Sequence, residues 1–368
     1  MQGKRDYITL VHNGLTSRLI SALAVASALA VPVAAHAGEL EDSFDRALSG
    51  QKRAPQAIAP RAPQMVVTAA PSVQTVLSSP APRFAYSSSF EAQIAALASA
   101  DMGRIGVAAV DLSTGRSVNV LGNQPFPMAS TSKVAIVATF LDLVDQGRVR
   151  LSDSFPLMVP LPSRKFDGSI APVRAGDSLS AQSLIELAIT RSDNQATDAL
   201  LAAVGGPQAV NRWLRRSGLS GIQIDRDIAT LVRDDGAVDP ATQIDTRDSA
   251  TPASMVRLLA GLYQGQWLSP SSRSVLLGAM ERCETGKRRI RALLPEGARA
   301  LHKTGTLSNT ASDIGIIETP DGRALAVAIY VTGQGSKPGR DARIATLARA
   351  IYDGYQSDAS GSRRTASR

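Results

Sequence analysis

The chain has 368 residues and a formal net charge of +8, most of which lies at its ends, because residues 86–358 hold 29 Lys and Arg against 27 Asp and Glu. This nearly neutral region has no basic face interleaved with aromatic residues, which excludes nucleic-acid binding. The single cysteine, Cys283, excludes an intramolecular disulfide. Of the three histidines only His302 would remain in the mature chain, which excludes a histidine-rich zinc site. We expect no metal and no organic cofactor.

The first 37 residues have the pattern of a signal peptide. Basic residues precede an apolar run at residues 19–35, and residues 35–37 (AHA) offer the small side chains that a signal peptidase requires. The run is short and rich in alanine for a membrane span. We therefore expect export to the periplasm or the medium, with no stable membrane span after cleavage. His12 and His36 would leave with this segment.

Residues 38–85 predict a disordered tether. Six prolines occur between positions 55 and 82, and the apolar residues between them follow neither a helical nor a strand period. Residues 359–368 are polar and predict a disordered tail. The folded, catalytic domain is accordingly expected at residues 86–358.

This domain begins and ends with strand patterns, and its middle, from residue 132 to about 277, is mostly helical in pattern. The predicted strands are 105–112, 117–121, 300–306, 313–319 and 324–332. The predicted helices are 90–99, 134–147, 180–190, 194–204, 253–263 and 341–355. We expect an α+β fold, in which an antiparallel sheet built from both chain ends is flanked by helices and an all-α lobe is inserted between.

Three short motifs carry side chains suited to acyl transfer. The first, STSK at 130–133, lies where an extended stretch meets a helix, so Ser130 and Lys133 are nearly one turn apart on one face. A neutral lysine there can accept the serine proton. The second, SDN at 192–194, lies in a corner between two helices, and the third, KTGT at 303–306, lies on a strand before a turn. Each alone has an ordinary explanation, as a helix cap or an edge-strand lysine.

In this order, the three motifs resemble those of class A β-lactamases and penicillin-binding proteins. Segments 244–259, 285–306 and 313–333 also look like class A β-lactamase sequence, so the resemblance covers the whole folded region. The resemblance implies a β-lactamase/transpeptidase-like fold and a serine hydrolase. His302, directly before the KTGT motif, resembles one branch of class A, and strand alternation would point it away from Lys303. We interpret it as structural.

The resemblance also implies the catalytic roles. Ser130 would attack the carbonyl carbon, Lys133 would help to deprotonate Ser130, and Ser192 would pass a proton to the departing nitrogen. Lys303 is expected to lie close to Lys133, and two nearby lysines disfavour each other's charge, so Lys133 can become a neutral base without any histidine.

The same resemblance implies the substrate-binding residues. Asn194 would bind the amide side chain of the substrate, and Lys303 and Thr304 would hold its carboxylate. Gly305 would let the strand lie close to the substrate. The backbone N–H of Thr306, together with that of the nucleophile, would form the oxyanion hole.

One loop departs from the family pattern. Class A enzymes carry a sequence like L-D-R-x-E-x-x-L-N, whose Glu and Asn hold the hydrolytic water, whereas residues 224–232 here read IDRDIATLV. Ile228 stands in place of the Glu and Val232 in place of the Asn. Arg226 and Asp248, which by resemblance pair across the neck of the loop, are retained, although the segment between them is longer. Deacylation is therefore expected to be slow unless a nearby aspartate substitutes: Asp225, Asp227, Asp234 or Asp235.

Three functions remain open at this point. The first is a class A-type β-lactamase with unusual deacylation. The second is a D-Ala-D-Ala peptidase or transpeptidase acting on peptidoglycan stem peptides, and the third is a non-hydrolytic penicillin-binding protein. For each of the three functions we expect a monomer that binds a small acylating substrate.

Overall fold

The computed structural model describes residues 88–161 and 170–366 and the two-residue strand Gln74–Thr75. All of them belong to one unit of the chain, Lys52–Arg368. The predicted signal peptide and most of the predicted tether lie outside the described residues. Among the residues described, no helix has both the length and the apolar composition needed to cross a membrane.

The secondary-structure elements follow the predicted order closely. The strands are β1 (Gln74–Thr75), β2 (Ile105–Asp111), β3 (Ser117–Val120), β4 (Phe126–Pro127), β5 (Ser154–Pro160), β6 (Val173–Ser180), β7 (Gln243–Ile244), β8 (Ser249–Ala250), β9 (Arg299–Leu307), β10 (Thr310–Glu318) and β11 (Ala324–Thr332). The helices are α1 (Ser89–Leu97), α2 (Lys133–Asp145), α3 (Ala181–Thr190), α4 (Asn194–Val204), α5 (Pro207–Arg216), α6 (Ile228–Arg233), α7 (Pro252–Gln264), α8 (Pro270–Glu281) and α9 (Lys337–Ala366). Within the described residues there are also two 3₁₀ turns, Ala129–Ser132 and Ile290–Leu293.

A five-stranded antiparallel sheet is formed by strands from both ends of the domain. Its spatial order is β3-β2-β11-β10-β9, so the first strands of the domain pair with the last. Every residue of β11 is buried. Alternate residues of β11 face opposite sides, with Ala326 and Ala328 packing into one apolar cluster and Val327 and Ile329 into the other. Both faces of the sheet are therefore covered.

The two clusters correspond to two layers of helices. On one side, α1 and α9 pack against the sheet. On the other side lies the helical lobe, built around α2, whose residues 133–141 are all buried. An apolar stretch buried on all sides suits a central helix surrounded by other helices. The predicted α+β architecture with its inserted helical lobe is confirmed.

The helical middle is interrupted by a hairpin that the sequence analysis missed. Strands β5 and β6 pair antiparallel, with an irregularity between Pro156 and Met158. Pro156 and Pro160 cannot occupy a helix interior, because proline lacks the backbone N–H and clashes with the preceding turn, but an irregular hairpin tolerates them. The all-α prediction for this part of the lobe was wrong.

The backbone also departs from the expected boundaries at both ends. Residues 74 and 75, inside the predicted tether, pair with Gln243 and Ile244 of β7. Helix α9 continues from the predicted residues 341–355 to Ala366, inside the predicted tail. That tail contains no proline to end the helix.

Candidate active site

Ser130 lies in the 3₁₀ turn that leads directly into α2. The N–H of Lys133 donates to the carbonyls of Ser130 and Thr131, which joins the turn to the first residue of the helix. Ala129 has a φ of +48°, a left-handed conformation that costs a residue with a Cβ about 1–3 kcal/mol. The Thr131 hydroxyl helps to hold this conformation by donating to the Met128 carbonyl at 2.7 Å. The turn thus presents Ser130 in a fixed, half-buried position.

Strand β9 passes directly against this turn. At Gly305, an added Cβ would lie 2.5 Å from the Met128 carbonyl oxygen and 3.1 Å from the Ala129 Cβ. Backbone contacts of that kind cannot be relieved by moving a side chain. Glycine at this position is what allows the KTGT strand to approach the turn that carries Ser130.

The side chain of Lys133 is fully buried and ends among the residues of the SDN motif. Its Nζ donates to the Ser192 carbonyl at 2.5 Å and to Asn194 Oδ1 at 2.7 Å. Two longer contacts reach the Asp193 carbonyl at 3.2 Å and the Ser192 hydroxyl at 3.3 Å. A neutral amine has two N–H groups and one lone pair, so the two short contacts account for both protons and leave the lone pair able to accept one.

Burial lowers the pKa of Lys133 well below its usual range, and the charge of Lys303 lowers it further, while Asp193 and Asp198 act in the opposite direction. The side chain is therefore suited to the role of a neutral base. This agrees with the expectation that two nearby lysines disfavour each other's charge.

Ser192 connects the two lysines. It follows α3 with a φ of +59°, which is uncommon for a residue with a side chain. Lys303 Nζ donates to the Ser192 hydroxyl at 2.9 Å and to the Thr304 carbonyl at 2.9 Å. Because the hydroxyl oxygen accepts from lysine, its own proton is available to another acceptor.

Helix α4 begins at Asn194 because Asp193 caps it, with its carboxylate accepting from the Ala196 N–H at 2.7 Å. The cap places Asn194 in the first turn beside Lys133. Its Oδ1 already accepts from Lys133, so its amide nitrogen is the end that can donate to a ligand. Thr304, in contrast, places its hydroxyl 2.6 Å from that of Thr285, so the structure does not bring this side chain together with Ser192.

A buried arginine that the sequence analysis missed reaches the end of the KTGT motif. Arg289 donates to the carbonyls of Gly305 and Ser312, each at 3.0 Å, and to the Thr306 hydroxyl at 2.7 Å. Its Nε is held by Asp341 at 2.6 Å. The Thr306 oxygen accepts from a cation, so its hydroxyl proton can be donated to a ligand. Nothing in the basic run at residues 287–291 distinguishes Arg289 from its neighbours.

The loop after α5 is closed by the pair expected from the family pattern. Arg226 Nε lies 2.6 Å from Asp248 Oδ2, and the other carboxylate oxygen accepts the N–H groups of Asp225 and Arg226 at 2.8 and 3.0 Å. Burial raises the pKa of Asp248 above its ordinary value, and these contacts oppose the rise without cancelling it. The neck of the loop is therefore an ion pair largely removed from water.

Inside this loop, Ile228 begins α6 and is 3% exposed. Its N–H donates to Asp198 Oδ1 at 2.7 Å, and that of Ala229 donates to Asp198 Oδ2 at 2.9 Å. Burial raises the pKa of Asp198 to about 7, with the two N–H groups opposing the rise. Asp198 was not among the residues predicted from the sequence, although it lies four residues after Asn194 on the same helix, a spacing that places the two on one face.

The four aspartates considered as substitutes for the missing Glu all have structural partners. These partners are Asp248 N–H for Asp225, Thr230 N–H for Asp227, Arg226 and Arg233 for Asp234, and Ser308 N–H for Asp235. Burial raises the pKa of Asp235. In the described parts of the chain, no group of three or more His, Cys, Asp or Glu side chains could hold a metal ion.

A model of the Beta-lactamase enzyme family matches residues 89–355. The extended-spectrum β-lactamase PER-1 of Pseudomonas aeruginosa is 30% identical over 241 residues, which cover 62% of this chain and 75% of that protein. The structure of the last common ancestor of Gram-negative bacteria β-lactamase class A (GNCA4) has a TM-score of 0.62 at 36% identity, covering 73% of this chain and 100% of that one. A β-lactamase from Chitinophaga pinensis has a TM-score of 0.61 at 28% identity, covering 72% and 97%.

Proposed function

The chain belongs to the class A β-lactamase family, and on this premise we propose that it opens β-lactam rings through an acyl-Ser130 intermediate and releases the acyl group slowly. The observation that carries the proposal is the pair of buried lysines, Lys133 and Lys303, that meet at the Ser192 hydroxyl. They lie beside the turn that presents Ser130.

Acylation follows from these groups. Neutral Lys133 accepts the Ser130 proton as the Ser130 oxygen bonds to the carbonyl carbon of the ring. The negative charge that develops on the carbonyl oxygen is held by the backbone N–H groups of Ser130 and Thr306. The carbon–nitrogen bond of the ring then breaks as Ser192 gives its hydroxyl proton to the departing nitrogen and takes from Lys133 the proton that came from Ser130.

The substrate is oriented by charge at one end and by an amide at the other. Lys303 and Arg289, the latter through the Thr306 hydroxyl, supply positive charge for the carboxylate of a β-lactam. Asn194 donates its amide N–H to the carbonyl of the substrate side chain. This arrangement supports a substrate that combines an anionic group with an acylamino group.

Deacylation lacks its usual base. Neither Ile228 nor Val232 can orient or deprotonate a water molecule, and Ile228 is packed inside the protein. The acyl-enzyme should therefore accumulate, with a burst of product followed by a slow steady state.

The test is intact-mass measurement after incubation with a penicillin. We expect one added ligand mass, lost in Ser130→Ala and retained in Ser132→Ala. Ser132 is the matched control because its hydroxyl donates to the Ala129 carbonyl, three residues before it. An adduct that persists in Ser130→Ala at another serine would contradict the assignment. An adduct that never turns over would indicate a penicillin-binding protein that traps acyl groups, and release of D-alanine from a stem peptide would indicate a peptidase.

We also propose that the protein is exported and that its mature form begins near Gly38, within residues outside the described structure. Mass spectrometry of protein recovered outside the cytoplasm should show residues 1–37 removed. Recovery of the intact N-terminus there would contradict cleavage.

A further inference from the structure

His302 and Asp313 form a fully buried pair on the face of β9 opposite Lys303. His302 Nδ1 lies 2.9 Å from one oxygen of Asp313 and 3.0 Å from the other, and neither side chain is exposed. The other ring nitrogen, Nε2, is buried and has no hydrogen-bond partner. A proton on Nε2 would be a buried donor without an acceptor, so the arrangement that satisfies the pair places a proton on Nδ1, which donates to Asp313.

Asp313 also accepts a hydrogen bond from the backbone. Its Oδ2 accepts the N–H of Ile290 at 3.1 Å. Ile290 begins the 3₁₀ turn Ile290–Leu293, and Arg289 is the residue directly before it. The pair of His302 and Asp313 therefore anchors the turn from which the Arg289 side chain departs.

The Arg289 guanidinium ends further along the same strand, on the Gly305 carbonyl and the Thr306 hydroxyl. We propose that His302 is a positioning residue, which acts through Asp313 to fix the turn that carries Arg289 and thereby sets how well the carboxylate of the substrate is held. This inference rests on the proposed function, because it requires an acylating substrate whose carboxylate binds at the Thr306 end of β9.

Because Nδ1 contacts Asp313 and Nε2 has no partner, two variants that each keep one of these positions form a matched pair. In His302→Asn, the side-chain amide N–H lies where Nδ1 was and can still donate to Asp313, whereas in His302→Gln the amide lies where Nε2 was. The readout is the ratio of two acylation rate constants, one for a penicillin with its free carboxylate and one for the methyl ester of the same penicillin. The ester cannot use the charge of Arg289, so the ratio reports on carboxylate binding and not on general damage.

We expect His302→Gln to lower the acid-to-ester ratio about tenfold, since displacement of an orienting group by 1 Å costs up to roughly 10²-fold. His302→Asn should keep the ratio within about twofold of wild type, because it retains the hydrogen bond to Asp313. The acid-to-ester ratio of the double variant, His302→Gln with Arg289→Ala, should be no lower than that of Arg289→Ala alone, because the two residues act as one unit.

The inference would be overturned if His302→Gln lowered the acylation rate constants for the acid and the ester equally, or left both unchanged, since the ratio would then stay the same. It would also be overturned if the effects of His302→Gln and Arg289→Ala on the ratio were fully additive. If His302→Gln does not fold, Asp313→Asn tests the inference by the same ratio. This variant keeps the shape of the Asp313 side chain and removes one of its two accepting oxygens. If the wild-type protein is not acylated by the penicillin at all, the proposed function itself fails, and the inference fails with it.

Discussion

Lys133 and Lys303 both direct their ammonium groups at one oxygen atom, the Ser192 hydroxyl, at 3.3 and 2.9 Å. Both lysines are completely buried. Two cations that converge on one hydroxyl in a desolvated site repel each other, and the repulsion is relieved when one of them gives up its proton. Burial first, and the charge of Lys303 second, lower the pKa of Lys133, which suits this side chain to lose its proton.

Acylation should therefore depend on pH through Lys133. The rate constant should fall as the pH drops below the lowered pKa, because protonated Lys133 cannot accept the Ser130 proton. Lys303→Ala removes a charge that lowers this pKa, so the acidic limb of its pH profile, where the rate constant falls, should move to higher pH. Lys303→Arg keeps the charge, so its acidic limb should stay at the wild-type pH. Stopped-flow acylation over a pH series measures both. An unmoved limb in Lys303→Ala would show that Lys303 does not tune Lys133.

Gly305→Ala should disrupt acylation without unfolding the protein. Its Cβ would press on the backbone that carries Ser130, and a shift of about 1 Å there costs roughly 10²-fold in rate. Gly278→Ala in α8 is the control, because its Cβ would meet only the end of the Arg282 side chain, at 3.2 Å. The control should be neutral or more stable by about 0.5–1 kcal/mol. Similar acylation rates in the two variants would argue against the close approach of β9.

The neck of the loop should contribute strongly to stability. Asp248→Ala leaves Arg226, which is 14% exposed, without its closest partner, and should lower the free energy of unfolding by about 3–5 kcal/mol. Glu284→Ala breaks an exposed pair with Arg191, whose side chain is 47% exposed, and should cost at most about 1 kcal/mol. Urea unfolding compares the two variants. Equal losses would mean that the neck pair is no stronger than a surface contact.

Restoring the missing groups should accelerate deacylation. Ile228→Glu with Val232→Asn should raise the deacylation rate by about 10²–10⁴-fold, and Ile228→Glu alone by less. The new carboxylate would lie close to buried Asp198, so adding Asp198→Asn should help by removing a competing negative charge. Single-turnover kinetics gives the rates, and thermal melts verify folding. Rapid wild-type turnover without a burst, together with a folded but slower double variant, would show that another group is the base.

Asp198 should also make stability depend on pH. Its folded pKa of about 7 exceeds its ordinary value of 3.8, so the folded state binds the proton more tightly and Asp198 contributes less stability as the pH rises toward 7. The Asp198→Asn side chain cannot ionise, so its stability should not show this dependence on pH. The stability of the variant relative to that of the wild type should therefore increase as the pH rises. Melting temperatures over a pH series test it, and parallel profiles for the two proteins would contradict the raised pKa.

The sequence predicts the sheet well because its strands are long runs of apolar residues, such as residues 324–332, bounded by clear turns. It predicts that Lys133, Ser192 and Lys303 meet only through the order of the motifs, since nothing local shows that residues 59 and 111 positions apart approach each other. The role of Arg289 is invisible in the sequence for the same reason: its partners come from β9, β10 and α9. The hairpin of β5 and β6 was missed because its prolines break the alternation by which strands are recognised.

The two-residue pairing of β1 with β7 has a practical consequence for producing the protein. A shortened form that starts at residue 86 would leave the backbone edge of Gln243 and Ile244 bare. Bare strand edges act as templates for association between molecules. Keeping residues 74 and 75 in a recombinant version should therefore favour dispersed protein at high concentration.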